Sequence, residues 1–417
     1  MILDMADRPA KLDQAVTEIR TMNFEFATAR SIVFGPGKLK ELPRLVEGLG
    51  RRAALVAGSS PERIAPVHMA LTECGANPAV FSIDREPTIS RIDTMAQTAR
   101  KEGCEYVVAF GGGSVIDAGK ALAALLTNTR SPMDYLEVVG KGEPLDNDPA
   151  PCIAIPTTAG TGSEVTRNAV LLSEEHQVKV SMRHTGMLPT VALVDPDLTL
   201  TMPARTTAST GLDAFTQLLE AFVSIKANPL TDGICREGLT RVSRSLLQAF
   251  LHGDDIKART DMAFGSLCGG LALANAGLGA VHGFAGPIGG MFKAPHGMVC
   301  ASLLPAVCET NLDALEVRDP GNPALKKYAE AAAIVTGNPC AETRDLLQWI
   351  NNIAIQMLIP GLHEFGIAES DFSVIVEKAS KASSMKGNPI VLTDAELTDI
   401  LETALAPPTD GNSTLYI

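Results

Sequence analysis

The chain has 417 residues, 46% of them apolar and 20% charged. That length suggests two or three domains, with a core large enough to need no covalent staples. The 35 Lys and Arg against 48 Asp and Glu give a net charge of −13 and a pI near 5.1, which disfavours a nucleic acid or an anionic membrane as partner, because both require basic surface.

Residues 1–22 mix Asp, Arg, Lys and Glu and lack the apolar core of a secretory signal. No run approaches about 20 uninterrupted apolar residues, so no membrane span is expected, and a cytoplasmic location is the simplest expectation. The eight cysteines, Cys300 among them, occur singly and form no C-x-x-C pair, which excludes a zinc ribbon or a thioredoxin-type motif. In a reducing compartment they read as core fillers.

Along the first half, short β-branched runs alternate with helical stretches. Strands are expected at 53–56, 79–83, 106–110, 150–156 and 191–194, with helices at 61–74, 94–102 and 116–126. This rhythm argues for a parallel, doubly wound sheet. From Pro203 onward the β-branched runs give way to Ala/Leu-rich helical stretches at 212–223, 232–250, 258–276, 324–336 and 342–358. The expected organisation is therefore an α/β domain over residues 1–200 and an all-helical domain over 201–417. Short linker-like segments fall at 140–151 and 319–323.

Three motifs carry chemistry. Gly111-Gly112-Gly113-Ser114 leaves a buried-looking strand and enters a helix that contains Asp117 and Lys120. Consecutive glycines cost backbone entropy, so a chain without Cβ atoms is needed there, and a helix N-terminus behind such a turn suits a diphosphate. Pro156–Thr166 is a second loop, rich in hydroxyls, with Thr157, Thr158 and Thr161 able to approach a ribose or an amide. Two such loops at strand ends favour a ligand over two ordinary turns. In the helical half, Asp213 and Gln217 stand at i and i+4 on one helix face. His282 and His296 flank a Gly-rich, Pro-interrupted segment further on. Two imidazoles and a carboxylate suffice for a divalent metal with an open position, although packed structural histidines stay equally possible on these residues alone.

Taken together, Gly111–Lys120, Pro156–Thr166, Val194-Asp195-Pro196, Thr210–Gln217 and Gly279–Pro305 resemble the iron-containing (group III) alcohol dehydrogenase family, over nearly the whole chain from Phe24 onward. The resemblance implies a Rossmann-like dinucleotide-binding domain, a helical metal and substrate domain of dehydroquinate synthase-like architecture, and a site in the cleft between them. It implies hydride transfer between NAD(P) and a small alcohol or aldehyde, with Asp213, His282 and His296 holding Fe2+ or Zn2+. Gly112, Gly113 and Ser114 would cradle the diphosphate, Thr157, Thr158 and Thr161 would flank the nicotinamide ribose, and Asp117 and Lys179 would lie near the cofactor. A homo-oligomer is expected.

Two positions depart from the family pattern. Gln217 stands where the family has a second-position histidine ligand, and Gly286 stands where it has a histidine close to the nicotinamide. Three alternatives stay open: a non-catalytic dinucleotide-binding relative, prompted by these departures, a dehydroquinate synthase-type lyase, which shares the architecture, and a metal-independent reductase resembling maleylacetate reductase. At the second strand, Gly58, Ser59 and Ser60 follow with no acid at the turn. That leaves room for a 2′-phosphate, to which the serines can donate and beside which Arg63 lies, so NADP should be accepted.

Overall fold

A computed structural model describes residues 23–176, 178–292 and 294–408. The segment 1–22, read above as lacking a signal sequence, lies outside the described residues. Among the described residues, eight strands form in the first half: β1 (Ser31–Phe34), β2 (Ala53–Ala57), β3 (Ala79–Ser82), β4 (Tyr106–Gly111), β5 (Cys152–Pro156), β6 (Asn168–Ser173), β7 (Val178–Arg183) and β8 (Val191–Val194). Six of them make one parallel sheet in the order β1-β8-β5-β4-β2-β3. Every residue of β2, β4, β5 and β8 is buried, as befits central parallel strands covered on both faces.

The helices α1 (Leu42–Val46), α2 (Pro61–Glu73), α3 (Ile89–Lys101), α4 (Gly113–Thr127) and α5 (Pro132–Tyr135) lie among these strands. Leu55, Val108 and Ile155 share a core with Leu42, Val67 and Leu71 of α1 and α2. Ala54, Val56 and Val107 on the opposite sheet face pack with α3 and α4. The connection after β2 runs outward to β3, whereas the connection after β4 runs the other way to β5. The chain therefore reverses direction between β2 and β4, which opens a crevice at their carboxyl ends, and ligands of doubly wound sheets sit in such crevices.

The sequence reading missed β1 and the antiparallel pair β6–β7. β1 is only four residues long, and none of them is fully buried. In β6 and β7 only alternate residues are buried, and Ala169, Leu171, Val180 and Met182 join the core shared with α3 and α4. The Val194-Asp195-Pro196 motif has a structural role. The buried Asp195 carboxylate accepts from the backbone N–H groups of Gly37 (3.0 Å), Leu39 (2.7 Å) and Asp197 (3.1 Å), and so ties the end of β1 to the end of β8.

The second half is helical: α6 (Ala204–Val223), α7 (Pro229–Leu251), α8 (Ile256–Ala276), α9 (Ala280–Phe292), α10 (His296–Arg318), α11 (Pro323–Thr336), α12 (Thr343–Gln356), α13 (Phe372–Ser380) and α14 (Asp394–Leu405). The Gly-rich, Pro-interrupted segment between His282 and His296 is mostly helical, as α9, and α10 begins at His296; Pro287 and Pro305 lie inside the two helices. A helical proline loses a backbone bond and is costly. Here burial outweighs that propensity, because most of both helices lies in the core of the domain. α10 is long and apolar enough by composition to cross a membrane, but 78% of that stretch is buried against its neighbours, which marks a core helix.

The Thr-rich loop after β5 joins the two halves, and its glycines explain how. A Cβ on Gly160 would lie 2.5 Å from Cβ of Thr210 in α6, and one on Gly162 would lie 2.4 Å from Cα of Gly270 in α8. Gly162 also has φ +58°, a left-handed conformation that favours glycine. Beneath the loop, the buried Lys120 ammonium donates to the Ser163 carbonyl and to Thr166 Oγ1, both at 2.9 Å, and pairs with Asp117 at 3.1 Å.

Glu164 in the same loop is 2% exposed, and burial pushes its carboxyl up to about 7 from an ordinary 4.5, against the opposing effects of a backbone hydrogen bond and the Lys120 charge. The fold therefore favours the protonated acid. The associated stability is fully present below pH 4.5 and is lost as pH rises through about 7. Glu164→Gln should flatten the stability profile across this window and raise stability at pH 8 by about 3 kcal/mol. Urea denaturation at a series of pH values measures it, and an unchanged slope would refute the assignment.

Candidate active site

The glycine turn and the Thr-rich loop come together at the carboxyl edge of the sheet. A Cβ on Gly112 would sit 3.4 Å from Cγ2 of Thr158, and one on Gly113 would sit 2.8 Å from Cγ2 of Thr161. Thr157 N–H donates to the Gly111 carbonyl at 2.9 Å, which zips β4 to the start of the loop. Gly112 is the N-cap of α4 and brings no side-chain cap, so the first N–H groups of that helix, around Gly113 and Ser114, have no side-chain acceptor from their cap. An anion suits such a terminus. Gly58 and Ser59 lie across the crevice at the end of β2. No atom stands within 4 Å of a Cβ on Gly58, and Ser59 is exposed.

Two residues, Asp117 and Ser60, have their polar groups engaged within the protein. Both oxygens of the Asp117 carboxylate are engaged inside the protein, one by Ser163 Oγ and Lys120, the other by Val170 N–H at 3.0 Å, so it ties the loop to β6 rather than presenting a free acceptor to a cofactor. Ser60 Oγ donates to Glu62 at 2.9 Å, and Glu62 is an acid of the first turn of α2 that the sequence reading passed over. Lys179 stands at the seam between the halves. It pairs with Glu86, and its Nζ would lie 2.9 Å from a Cβ on Gly289 of α9, which puts it against the helical half.

In that half, α6, α9 and α10 converge. Asp213 is 1% exposed. Its Oδ1 lies 3.2 Å from His282 Nε2 and 3.9 Å from His296 Nε2. The two imidazole centroids are 5.4 Å apart. Gly297 permits the approach of α10 to α6, since a Cβ there would lie 2.6 Å from the Ser209 carbonyl oxygen. Burial works to raise the Asp213 carboxyl, yet it is held below its ordinary value by the His282 hydrogen bond, the nearby histidine charges and Gln217. Burial likewise works to depress His282, but Cys300, Asp213 and Glu220 around it hold it well above its ordinary value. His296 goes the other way. Burial pushes it down to about 4, Asp213 opposes this, and the charges of His282 and Lys179 assist it, with Asp117 opposing. Lys179 and Asp117 belong to the nucleotide half, so His296 stands at the seam between the domains.

Two residues at this cluster had been passed over. Glu220 accepts from the Val281 N–H at 2.7 Å and meets His282 Nδ1 at 2.6 Å, which caps the start of α9 and turns Nε2 toward Asp213. It falls at i+7 from Asp213, two helical turns along the same face, and that spacing was the available signal. Cys300 was read as a core filler. Its Sγ lies 3.8 Å from His282 Nε2 and 3.7 Å from His296 Nε2, one turn beyond His296 on α10. Burial pushes its thiol up to about 12. Ligand atoms of Asp213, His282, His296 and Cys300 all fall within 4.8 Å of one another, a donor set that fits a divalent metal ion. Gln217 is buried beside it, and its Oε1 has no hydrogen-bond partner. Phe284 of α9 is fully buried core. At Gly286 no atom stands within 4 Å of an added Cβ.

Comparisons with known proteins agree with this geometry. Residues 29–196 match the model for "Iron-containing alcohol dehydrogenase", and residues 207–405 match "Fe-containing alcohol dehydrogenase family, C-terminal". The chain is 33% identical over 379 residues to alcohol dehydrogenase 4 of Saccharomyces cerevisiae, covering 89% of this chain and 96% of that one. The solved structure of a 1,3-propanediol oxidoreductase superposes with a TM-score of 0.85 at 32% identity, covering 92% of this chain and 100% of that one. A sulfoacetaldehyde reductase from Bifidobacterium kashiwanohense, solved in complex with NAD+, gives 0.80 at 28% identity over 92% of this chain and 99% of that one. The chain belongs to the iron-containing alcohol dehydrogenase family, whose members are NAD(P)-dependent alcohol oxidoreductases that use a divalent metal.

Proposed function

We propose that this chain interconverts a small primary alcohol and its aldehyde, accepts NADP as well as NAD, and does so with a divalent ion held by Asp213, His282 and His296. The convergence of these three side chains from α6, α9 and α10, at the seam facing the carboxyl edge of the sheet, carries the reading. When bound, such an ion supplies Lewis acidity toward the substrate oxygen while the nicotinamide supplies or accepts the hydride. The protein's part is orientation and charge. Asp213 contributes the negative charge, and Glu220 fixes the ring of His282 with Nε2 inward. The N-terminus of α4, behind Gly112, Gly113 and Ser114, would offer N–H groups to the diphosphate, and Thr157, Thr158 and Thr161, on the loop packed against those glycines, would flank the nicotinamide ribose.

The cofactor preference turns on the residues past β2. Glu62 in the first turn of α2 would oppose a 2′-phosphate, while the exposed Ser59 and Arg63 favour it. Both cofactors are therefore expected to work. A panel of alcohols and aldehydes assayed with NAD(H) and NADP(H), alongside metal analysis of the untreated protein, tests the reading. Asp213→Ala should lose both bound metal and turnover. Full activity in metal-stripped protein would overturn it in favour of a metal-independent reductase, and undetectable NADPH binding beside tight NADH would remove the dual-cofactor part.

At Gly286 the chain has no proton-carrying side chain, so a proton reaches the substrate oxygen through water or a ribose hydroxyl. A missing general acid costs about 10²–10⁴-fold. The open space at Gly286 means a histidine can be accommodated there at the level of its Cβ. Gly286→His should raise the single-turnover rate of the chemical step by at least about tenfold. An unchanged rate in a variant with the wild-type thermal midpoint would show that the relay is not what limits this enzyme.

A further inference from the structure

We propose that Cys300 is a direct ligand of the metal site and takes the place that Gln217 leaves, which makes the protein donor set Asp–His–His–Cys, leaves a substrate oxygen to enter as an additional ligand, and selects zinc. The inference rests on the reading of this cluster as a metal site.

The distances carry it. For a tetrahedral ion bonded at about 2.0–2.1 Å to nitrogen or oxygen and about 2.3 Å to sulfur, neighbouring N and O ligands stand about 3.3 Å apart and sulfur stands about 3.6 Å from each nitrogen. In the structure the Asp213 oxygen lies 3.2 and 3.9 Å from the two imidazole nitrogens. The Cys300 sulfur lies 3.8 and 3.7 Å from the same two nitrogens. These four distances fall within about 0.6 Å of the tetrahedral values, and all four ligand atoms lie within 4.8 Å of one another. Position on the chain agrees, because Cys300 follows His296 by one helical turn and projects from the same face of α10.

Gln217 is the competing fourth ligand, and its orientation speaks against it. Its Oε1 would lie 3.1 Å from a Cβ on Gly269, so the amide oxygen faces α8. The side chain also helps to hold the Asp213 carboxyl down, as a neighbour of the acid.

Coordination by sulfur changes what the site prefers. Binding of a divalent ion displaces the thiol proton to solvent and forms one metal–sulfur bond, with no change of oxidation state. The ligands then carry two negative charges, from Asp213 and Cys300, which neutralise the ion. Soft thiolate donors favour zinc over iron among metals that imidazole and carboxylate alone do not separate.

The test is cobalt substitution of the full-length protein after chelation. Co(II) bound to the wild type should show a near-ultraviolet thiolate-to-cobalt charge-transfer band together with strong visible bands of a four-coordinate ion. Cys300→Ser should lose the charge-transfer band and weaken zinc binding by more than the about 10–100-fold typical of losing an outer hydrogen-bond partner. Its metal-free thermal midpoint should match wild type, and Gln217→Ala should keep the band. Cobalt bound without the band, or zinc affinity lost in Gln217→Ala but kept in Cys300→Ser, would overturn the ligand role of Cys300 and leave the metal site standing. No cobalt uptake by a fully active wild type would overturn both readings.

Discussion

A carboxylate buried inside a bundle of helices must be compensated, and much of the helical domain is arranged around compensating Asp213. Isolated burial of a charged group in an apolar interior costs several kcal/mol or more unless charge and hydrogen bonds offset it. Here α9 delivers His282 and α10 delivers His296 to within 4 Å of one Asp213 oxygen. Glu220, on the same helix as Asp213, holds the far side of the His282 ring and caps the backbone from which that histidine hangs. The arrangement is a chain of dependence. α6 sets two carboxylates one above the other, the second positions α9, and α9 returns an imidazole to the first. The glycines at 279, 283 and 297 serve this convergence, since a side chain at each would meet Glu220, Met385 or Ser209.

The same logic of close approach governs the seam. The Thr-rich loop belongs to the sheet by sequence, yet its glycines place its backbone against Thr210 and Gly270 of the helical half. Thr210 lies one turn before Asp213 on α6. The loop that would lie along the nicotinamide ribose is thus packed onto the helix that carries the buried acid, with no flexible linker between them. Lys120 and Asp117 stabilise the underside of the loop by hydrogen bonds rather than by reaching a ligand, which is why residues inside a nucleotide-like motif turn out to have structural roles.

What was legible in the sequence followed from strong, local patterns. Continuous apolar runs such as Val107-Val108-Ala109-Phe110 mark central parallel strands, and Ala/Leu-rich stretches mark the long helices. The parts that escaped are those where tertiary packing overrides local preference. Gly283, Gly286, Pro287, Gly289 and Gly290 make α9 a poor helix by composition, and it forms because its walls are supplied by other helices. β6 and β7 bury only alternate positions, and β7 intersperses Lys179, Ser181 and Arg183 among its apolar residues. At the site, Asp213, His282 and His296 were legible because their types suit metal chemistry. Glu220 and Cys300 were not, because a glutamate in a helix usually faces solvent and a lone cysteine is usually core. Only the helical spacings, seven from Asp213 and four from His296, distinguish them.

These positions belong together in charge as well as in space. Relative to the family pattern, this chain replaces one imidazole by the neutral Gln217 and removes another at Gly286, and it places a sulfur atom at van der Waals distance from both remaining imidazoles. An ion held by one carboxylate and three imidazoles keeps a net positive charge, whereas one held by a carboxylate and a thiolate is neutral, and a neutral site withdraws less electron density from a bound oxygen. A weaker pull on that oxygen lowers the acidity of an alcohol and makes the carbonyl less electrophilic. It also lessens the repulsion between the site and the positive nicotinamide ring of the oxidised cofactor. The substitutions at 217 and 286 therefore do not read as independent losses. With Cys300 inside the donor set they describe one site adjusted in charge, in which the proton and the electron pair are both handled with less electrostatic assistance from the protein.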